Sequence, residues 1–104
     1  MEVRVLDDSL EKFIKTLEKS TIAKTLRTVD LLEKFGPRLG LPHSKKISRQ
    51  LYELRIRGVQ EVRIFYTFRQ SRAFLLHGFI KKSQKIPKKE IHIALEKACR
   101  IDNV

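Results

Sequence analysis

Apolar and polar positions alternate at the very start of the chain, where Val3 and Val5 are separated by Arg4, and this predicts a short opening strand. The period then lengthens. Leu10, Phe13, Ile14 and Leu17 recur at the spacing of one helix face, with Asp8 and Glu11 ahead of them in the relation of a capping box. A second stripe, Ile22, Leu26, Val29, Leu32 and Phe35, predicts a second helix, capped by Ser20 or Thr21 and stopped by Gly36 and Pro37. The two helices are expected to form a hairpin against the core. The following segment, GPRLGLPHSKK, holds two Gly and two Pro and reads as a loop.

From Leu51 the period becomes two. Tyr52, Leu54 and Ile56 point one way, and Leu51, Glu53, Arg55 and Arg57 the other. After a break at Gly58, Val62, Ile64, Tyr66 and Phe68 alternate with Arg63, Phe65, Thr67 and Arg69 in a second strand, and Tyr66 is assigned to the core. A turn at Gln70 to Arg72 leads into a third strand, Ala73 to Ile80. A last helix is expected from about Lys88, with Ile91, Ala94, Leu95 and Ala98 on its apolar face. Helices followed by strands, without β-α-β alternation, define an α+β domain spanning all 104 residues. Its N-terminal strand and helical hairpin should pack on a mainly antiparallel sheet of about four strands, followed by the C-terminal helix. With helices on one side only, the other sheet face would stand open, carrying Glu53, Arg55, Arg57 and Arg63.

Charge changes the picture more than composition does. The formal net charge is +11, and between His43 and Glu90 there are 13 Lys and Arg against 3 acidic residues, while the rest of the chain is nearly balanced at 10 against 9. Such concentration predicts a basic face directed at a polyanion, with nucleic acid favoured over a membrane surface because the basic half reads as strands. Cys99 is the only cysteine, which excludes an internal disulfide and fits a reducing compartment. No zinc spacing, phosphate-binding glycine loop or nucleophile elbow is present, so neither a metal nor another cofactor is expected. The N-terminal MEVRVLDDSLEKF lacks the pattern of a signal peptide, and the longest apolar run, AFLLHGFI, is too short to cross a membrane. A cytoplasmic protein is expected.

The stretch LYELRIRGVQEVRIFYTF, followed by FLLHGFIKKSQKIPKKEIHIA, resembles the RelE/ParE superfamily of type II toxins, in particular its phage-derived HigB-like branch. The resemblance runs from about Lys45 to Ala98. It implies a small sheet backed by N-terminal helices and a ribosome-dependent endoribonuclease that cuts mRNA, inhibits translation and is neutralised by a helix-turn-helix antitoxin. By position, it implies that Arg55 and Arg63 are cationic strand residues of the site and Lys82 the basic residue at the end of the third strand. Two positions depart from the family pattern: no tyrosine stands near Lys88, and Glu53 replaces a lysine.

Metal-independent RNA cleavage uses the 2′-hydroxyl as nucleophile and needs a proton acceptor, a donor to the leaving 5′-oxygen and cations over the phosphate. The planar fork of arginine suits the last task, which falls to Arg55 and Arg63 with Lys82. Glu53 and His77 are the candidate acceptors, although Glu53 could equally pair with an arginine and His77 be a structural residue of an apolar strand. Arg57, Lys45, Lys46, Lys81 and Lys85 are candidate RNA-backbone contacts. Two further readings share the charge pattern: a gyrase-poisoning toxin of the ParE type, and a non-catalytic nucleic-acid-binding module, for which Phe65 would be the stacking aromatic.

Overall fold

The computed structural model describes residues 1–102. The chain forms β1 (Glu2–Val5), α1 (Asp8–Lys15), α2 (Lys19–Phe35), a short 3-10 turn (Gly36–Arg38), β2 (Ser44–Ser48), β3 (Leu51–Ile56), β4 (Val62–Arg69), β5 (Arg72–Ile80) and α3 (Lys88–Asp102). The expected α+β class and order of elements are observed. The sheet has five strands, ordered β1-β5-β4-β3-β2, with β1 parallel to β5 and every other pair antiparallel. The added strand is β2, which lies inside the segment read as a loop. Its residues Ser44, Lys45 and Lys46 pair with Leu54, Glu53 and Tyr52.

Each helix is set by local chemistry that differs in detail from the sequence expectation. The cap of α1 is Asp7 rather than Asp8, since its carboxylate accepts from the Ser9 backbone N–H. The second helix begins at Lys19, so Ser20 and Thr21 lie within it. Its buried side is Thr21, Thr25, Thr28 and Leu32, while Leu26 and Phe35 of the predicted stripe are exposed. Threonine tolerates this burial because the Thr25 and Thr28 hydroxyls donate to the carbonyls of Thr21 and Lys24, one turn back. In α3 the buried set is Ala94, Lys97, Ala98 and Ile101; Leu95 is exposed.

Two apolar clusters flank the sheet. One joins Leu10 of α1, Leu32 of α2 and Leu17 of the turn between them to Leu54, Ile56, Ile64 and Tyr66. Tyr66 is buried as expected; burial pushes its phenol pKa up, against a hydrogen bond with Ser44 that pulls it down. The other cluster joins Ala94, Ala98 and Ile101 of α3 to Leu51, Phe65, Leu76 and Phe79. The opposite face is therefore not open along its whole length, because α3 covers one end of it.

A β-bulge decides what β5 shows to each face. Phe65 pairs with His77 and Tyr66 with Leu75, leaving Leu76 as the extra residue. Leu75 thus faces α1 and α2, whereas His77 and Phe79 face the α3 side. Gly78 lies beneath α1, where a Cβ would meet Leu10 and Phe13 at 2.9 Å. Any side chain there would force the Leu10 and Phe13 side chains to shift.

Candidate functional site

Where α3 stops covering the sheet, the register builds a charged patch. Residues directly opposite one another across paired strands share a face. Lys45, Glu53, Phe65 and His77 make one cross-strand row over β2, β3, β4 and β5. Arg55, Arg63 and Phe79 make the next. Beyond it, Arg57 and Glu61 follow the ends of the strands, and the Lys81 backbone N–H donates to the Glu61 carbonyl. A cleft of about 590 Å³ opens here, lined by Arg55, Arg57, Glu61, Arg63, Lys81 and Lys82 together with the next two residues of the loop.

The floor and rim of this cleft differ. Arg63 forms the floor and is only 2% exposed, so its predicted place on an open face is corrected. It donates through Nη1 to Glu61 Oε2 and to the Val62 carbonyl, both at 3.2 Å. Glu53 is buried beside it, with Oε1 3.5 Å from Arg55 Nε and Oε2 3.8 Å from Arg63 Nε. The expected exposure of Glu53 is corrected as well: it is the counter-ion of two arginines. At the rim, Arg57 Nε stands 3.6 Å from Glu61 Oε2, and the Arg57 side chain is 61% exposed. Lys82 is exposed and Lys81 half-buried.

The network alternates sign, running Arg55, Glu53, Arg63, Glu61, Arg57, and the two lysines add uncompensated positive charge. Its inner part is not saturated. Glu53 Oε2, Arg55 Nε and Arg63 Nε are buried with no hydrogen-bond partner among the described residues. Buried polar atoms are nearly always paired, so these three are the part of the network with hydrogen-bonding capacity to spare.

His77 lies apart from this cleft. Its Nε2 is 2.7 Å from Glu90 Oε2 in the first turn of α3, and its ring stacks on Phe79. It borders a smaller cleft between α1 and α3, of about 310 Å³, with Ser9 and Lys97. Lys45 shares the face of Glu53 without lining the charged cleft, Lys46 lies over the Tyr52 ring on the opposite face, and Lys85 is exposed in the loop before α3. Phe65 is fully buried, so the stacking platform that a non-catalytic binding module would need is not at that position. Among the described residues no cluster of His, Cys, Asp and Glu is arranged to hold a metal ion, and no helix is long and apolar enough to cross a membrane.

Two residues of these sites were not singled out from the sequence. Glu61 is the one carboxylate that lines the charged cleft, and its only signal was its place two residues before Arg63 on the same strand face. Glu90 was counted only as a charge, although an acidic residue in the first turn of a helix after Pro87 is well placed to face the sheet.

Fold and site together define a small α+β domain whose mixed sheet carries an arginine- and lysine-rich cleft on one face. The chain belongs to the phage-derived Gp49-like protein family (DUF891), whose model matches residues 12–98. That span includes every residue of the charged cleft. None of the curated proteins resembles the chain closely enough to count as a match.

Proposed function

We propose that this protein is the toxin of a toxin–antitoxin pair and acts as a metal-independent endoribonuclease on mRNA held by the ribosome, so that its growth-inhibiting effect is on translation in the cytoplasm. The observation that carries this reading is the cleft itself: three arginines and two lysines converge on one space, with the carboxylates of Glu53 and Glu61 standing 3.2–3.8 Å from the arginine nitrogens. A cluster built this way suits a phosphate in a crowded transition state. Membership of a phage-derived family and the resemblance to RelE/ParE toxins support it.

In this reading Arg55, Arg57 and Lys82 contact the scissile phosphate, and Arg63 holds Glu53 and Glu61 in place from below. Glu61 is the best-placed proton acceptor for the 2′-hydroxyl. It lines the cleft, whereas Glu53 is covered between two arginines and His77 is tied to Glu90 elsewhere. Attack of the 2′-oxygen on phosphorus breaks the bond to the 5′-oxygen and leaves a 2′,3′-cyclic phosphate, with Lys81 or Lys82 protonating the leaving oxygen. The antitoxin is a protein that covers the cationic face, a helix-turn-helix repressor by the family resemblance.

The test is cleavage of a defined mRNA in a purified translation system, with product ends mapped. The parent should cut only ribosome-bound message. Arg57→Ala and Glu61→Gln should each slow the reaction by roughly 100-fold while the protein stays folded. A parent that leaves the mRNA intact with and without ribosomes overturns the proposal, and gyrase inhibition then becomes the assay to run.

A further inference from the structure

A second cleft adjoins the first on the other side of the β3 end. It measures about 420 Å³, within the range of small-ligand pockets, and lies between α2 and the segment leading into β2. Its inner surface is largely apolar, from Leu31, Pro42, Ile56 and the buried Thr28. Its rim carries Lys24, Arg27, Arg55 and Arg57, with His43, and no acidic residue lines it. Arg55 and Arg57 line both clefts, so the two spaces share one cationic ridge.

The wall between α2 and β3 is fixed rather than loosely apposed. Lys24 Nζ donates to the Arg57 carbonyl at 3.1 Å, and its stem closes over Gly58, where a Cβ would meet Nζ at 2.6 Å. Arg27, by contrast, forms no hydrogen bond or ion pair among the described residues, so its guanidinium is available to a ligand.

From this we infer that the second cleft is a nucleotide subsite that takes one unstacked base of a single-stranded RNA whose neighbouring phosphate sits on the Arg55 and Arg57 ridge. The chemistry of the lining matches that of one nucleotide. A base needs an apolar surface and a flat cation or ring to stack on, which Leu31, Pro42, Arg27 and His43 supply, and its phosphate needs an arginine fork. An acidic protein segment would satisfy the rim but gains nothing from a phosphate ridge shared with the adjoining cleft, so RNA is the occupant the arrangement favours. The inference rests on the proposed ribonuclease reading and gives that enzyme a contact upstream or downstream of the cut, hence a preference among nucleotides.

The experiment measures binding of a fluorescein-labelled mixed-sequence octaribonucleotide at fixed salt by anisotropy. It compares the parent with Arg27→Glu and Leu31→Gln in the second cleft, Lys82→Glu in the first, and Lys15→Glu on α1 as a charge-matched control outside both. Arg27→Glu and Leu31→Gln should each weaken binding roughly tenfold, while Lys15→Glu changes it by less than about threefold. Leu31→Gln alters no charge, so its effect separates base contact from general electrostatics. Arg27 is exposed, so its variant should melt like the parent. If Lys82→Glu binds poorly and both second-cleft variants bind like the control, the subsite is refuted and the ribonuclease reading stands. If Lys82→Glu also binds like the control and cuts ribosome-bound mRNA at the parental rate, the ribonuclease reading itself fails. Retained RNA binding together with loss of an acidic protein partner in Arg27→Glu would overturn the subsite and assign the cleft to that partner.

Discussion

The two faces of the sheet are made by the same strands and differ in kind. The face under α1 and α2 is apolar from Leu54 to Ile80, and its polar groups satisfy themselves locally, as the threonines of α2 do. The face under α3 is apolar at one end, around Phe65 and Ala98, and charged at the other, around Arg55 and Arg63. Alternation makes this possible, since each strand can give one face to stability and the other to chemistry. The charged end nevertheless contributes to structure, because Arg63 and Glu53 are as inaccessible as core leucines.

The sharpest test of that last point is Arg63→Ala. Removing Arg63 leaves the buried Glu53 with Arg55 as its one remaining counter-charge and takes a hydrogen bond from Glu61, and a loss of about 3 kcal/mol in denaturant unfolding is expected. That is on the scale of Leu54→Ala on the apolar face, expected to cost about 2–5 kcal/mol through a cavity. Combining Glu53→Leu with Arg63→Leu should restore roughly half of the Arg63→Ala loss, since no buried carboxylate is then stranded and the partly exposed Arg55 keeps access to water. If Arg63→Ala melts with the parent, the distinction between floor and rim collapses.

Asp7 connects the two faces. Its carboxylate caps α1 and lies 3.3 Å from both Lys97 Nζ and Arg100 Nη1 on α3. The Ser9 hydroxyl first, and then Lys97, hold its pKa below the usual carboxylate value, although burial opposes them. A carboxyl with a folded pKa below its unfolded one stabilises fully above the unfolded value, near pH ~4, and loses that contribution as pH falls through the folded value. Asp7→Ala should therefore cost about 1–2 kcal/mol at neutral pH and show a shallower decline in acid than the parent, measured as thermal midpoint against pH.

Smaller effects come from positions off the packed faces. Gln70 and Ser71 join β4 to β5 with positive φ angles of 56° and 61°, a conformation glycine adopts without strain. Ser71→Gly should stabilise the fold by roughly 0.5–1 kcal/mol in denaturant unfolding. Lys82→Ala should change stability least, by under about 0.5 kcal/mol, yet slow mRNA cleavage by roughly 100-fold. Equal loss of both would mean that the rim is structural too.

The strands β3 and β4 were legible because their alternation is strict and the break at Gly58 is unambiguous, and β5 because an apolar run follows the turn at Gln70. β2 was hidden by the glycines and prolines before it, since its pairing partner Leu54 lies ten residues away and no local pattern announces it. The buried side of α2 was misread because it is built of three threonines, polar by composition, of which Thr25 and Thr28 are made apolar in effect by their own helix carbonyls. The cationic residues of the cleft were legible as types, but not their depths. Whether an arginine is floor or rim depends on how far α3 and the loop after β5 extend over the sheet, which no periodicity encodes.

The extra residue at Leu76 carries a consequence of parity. Were Leu76 instead to take an ordinary place in the ladder opposite Phe65, His77 would turn toward Leu10 and Phe13, away from Glu90, while Gly78 would pass to the side now occupied by Phe79. An imidazole would then be driven against the helix and the closest helix–sheet approach would lose its glycine. The bulge alone, with no change of residue, thus decides which side of the sheet everything downstream faces, and deleting Leu76 would leave those sides as they are because the pairs on either side of it already match.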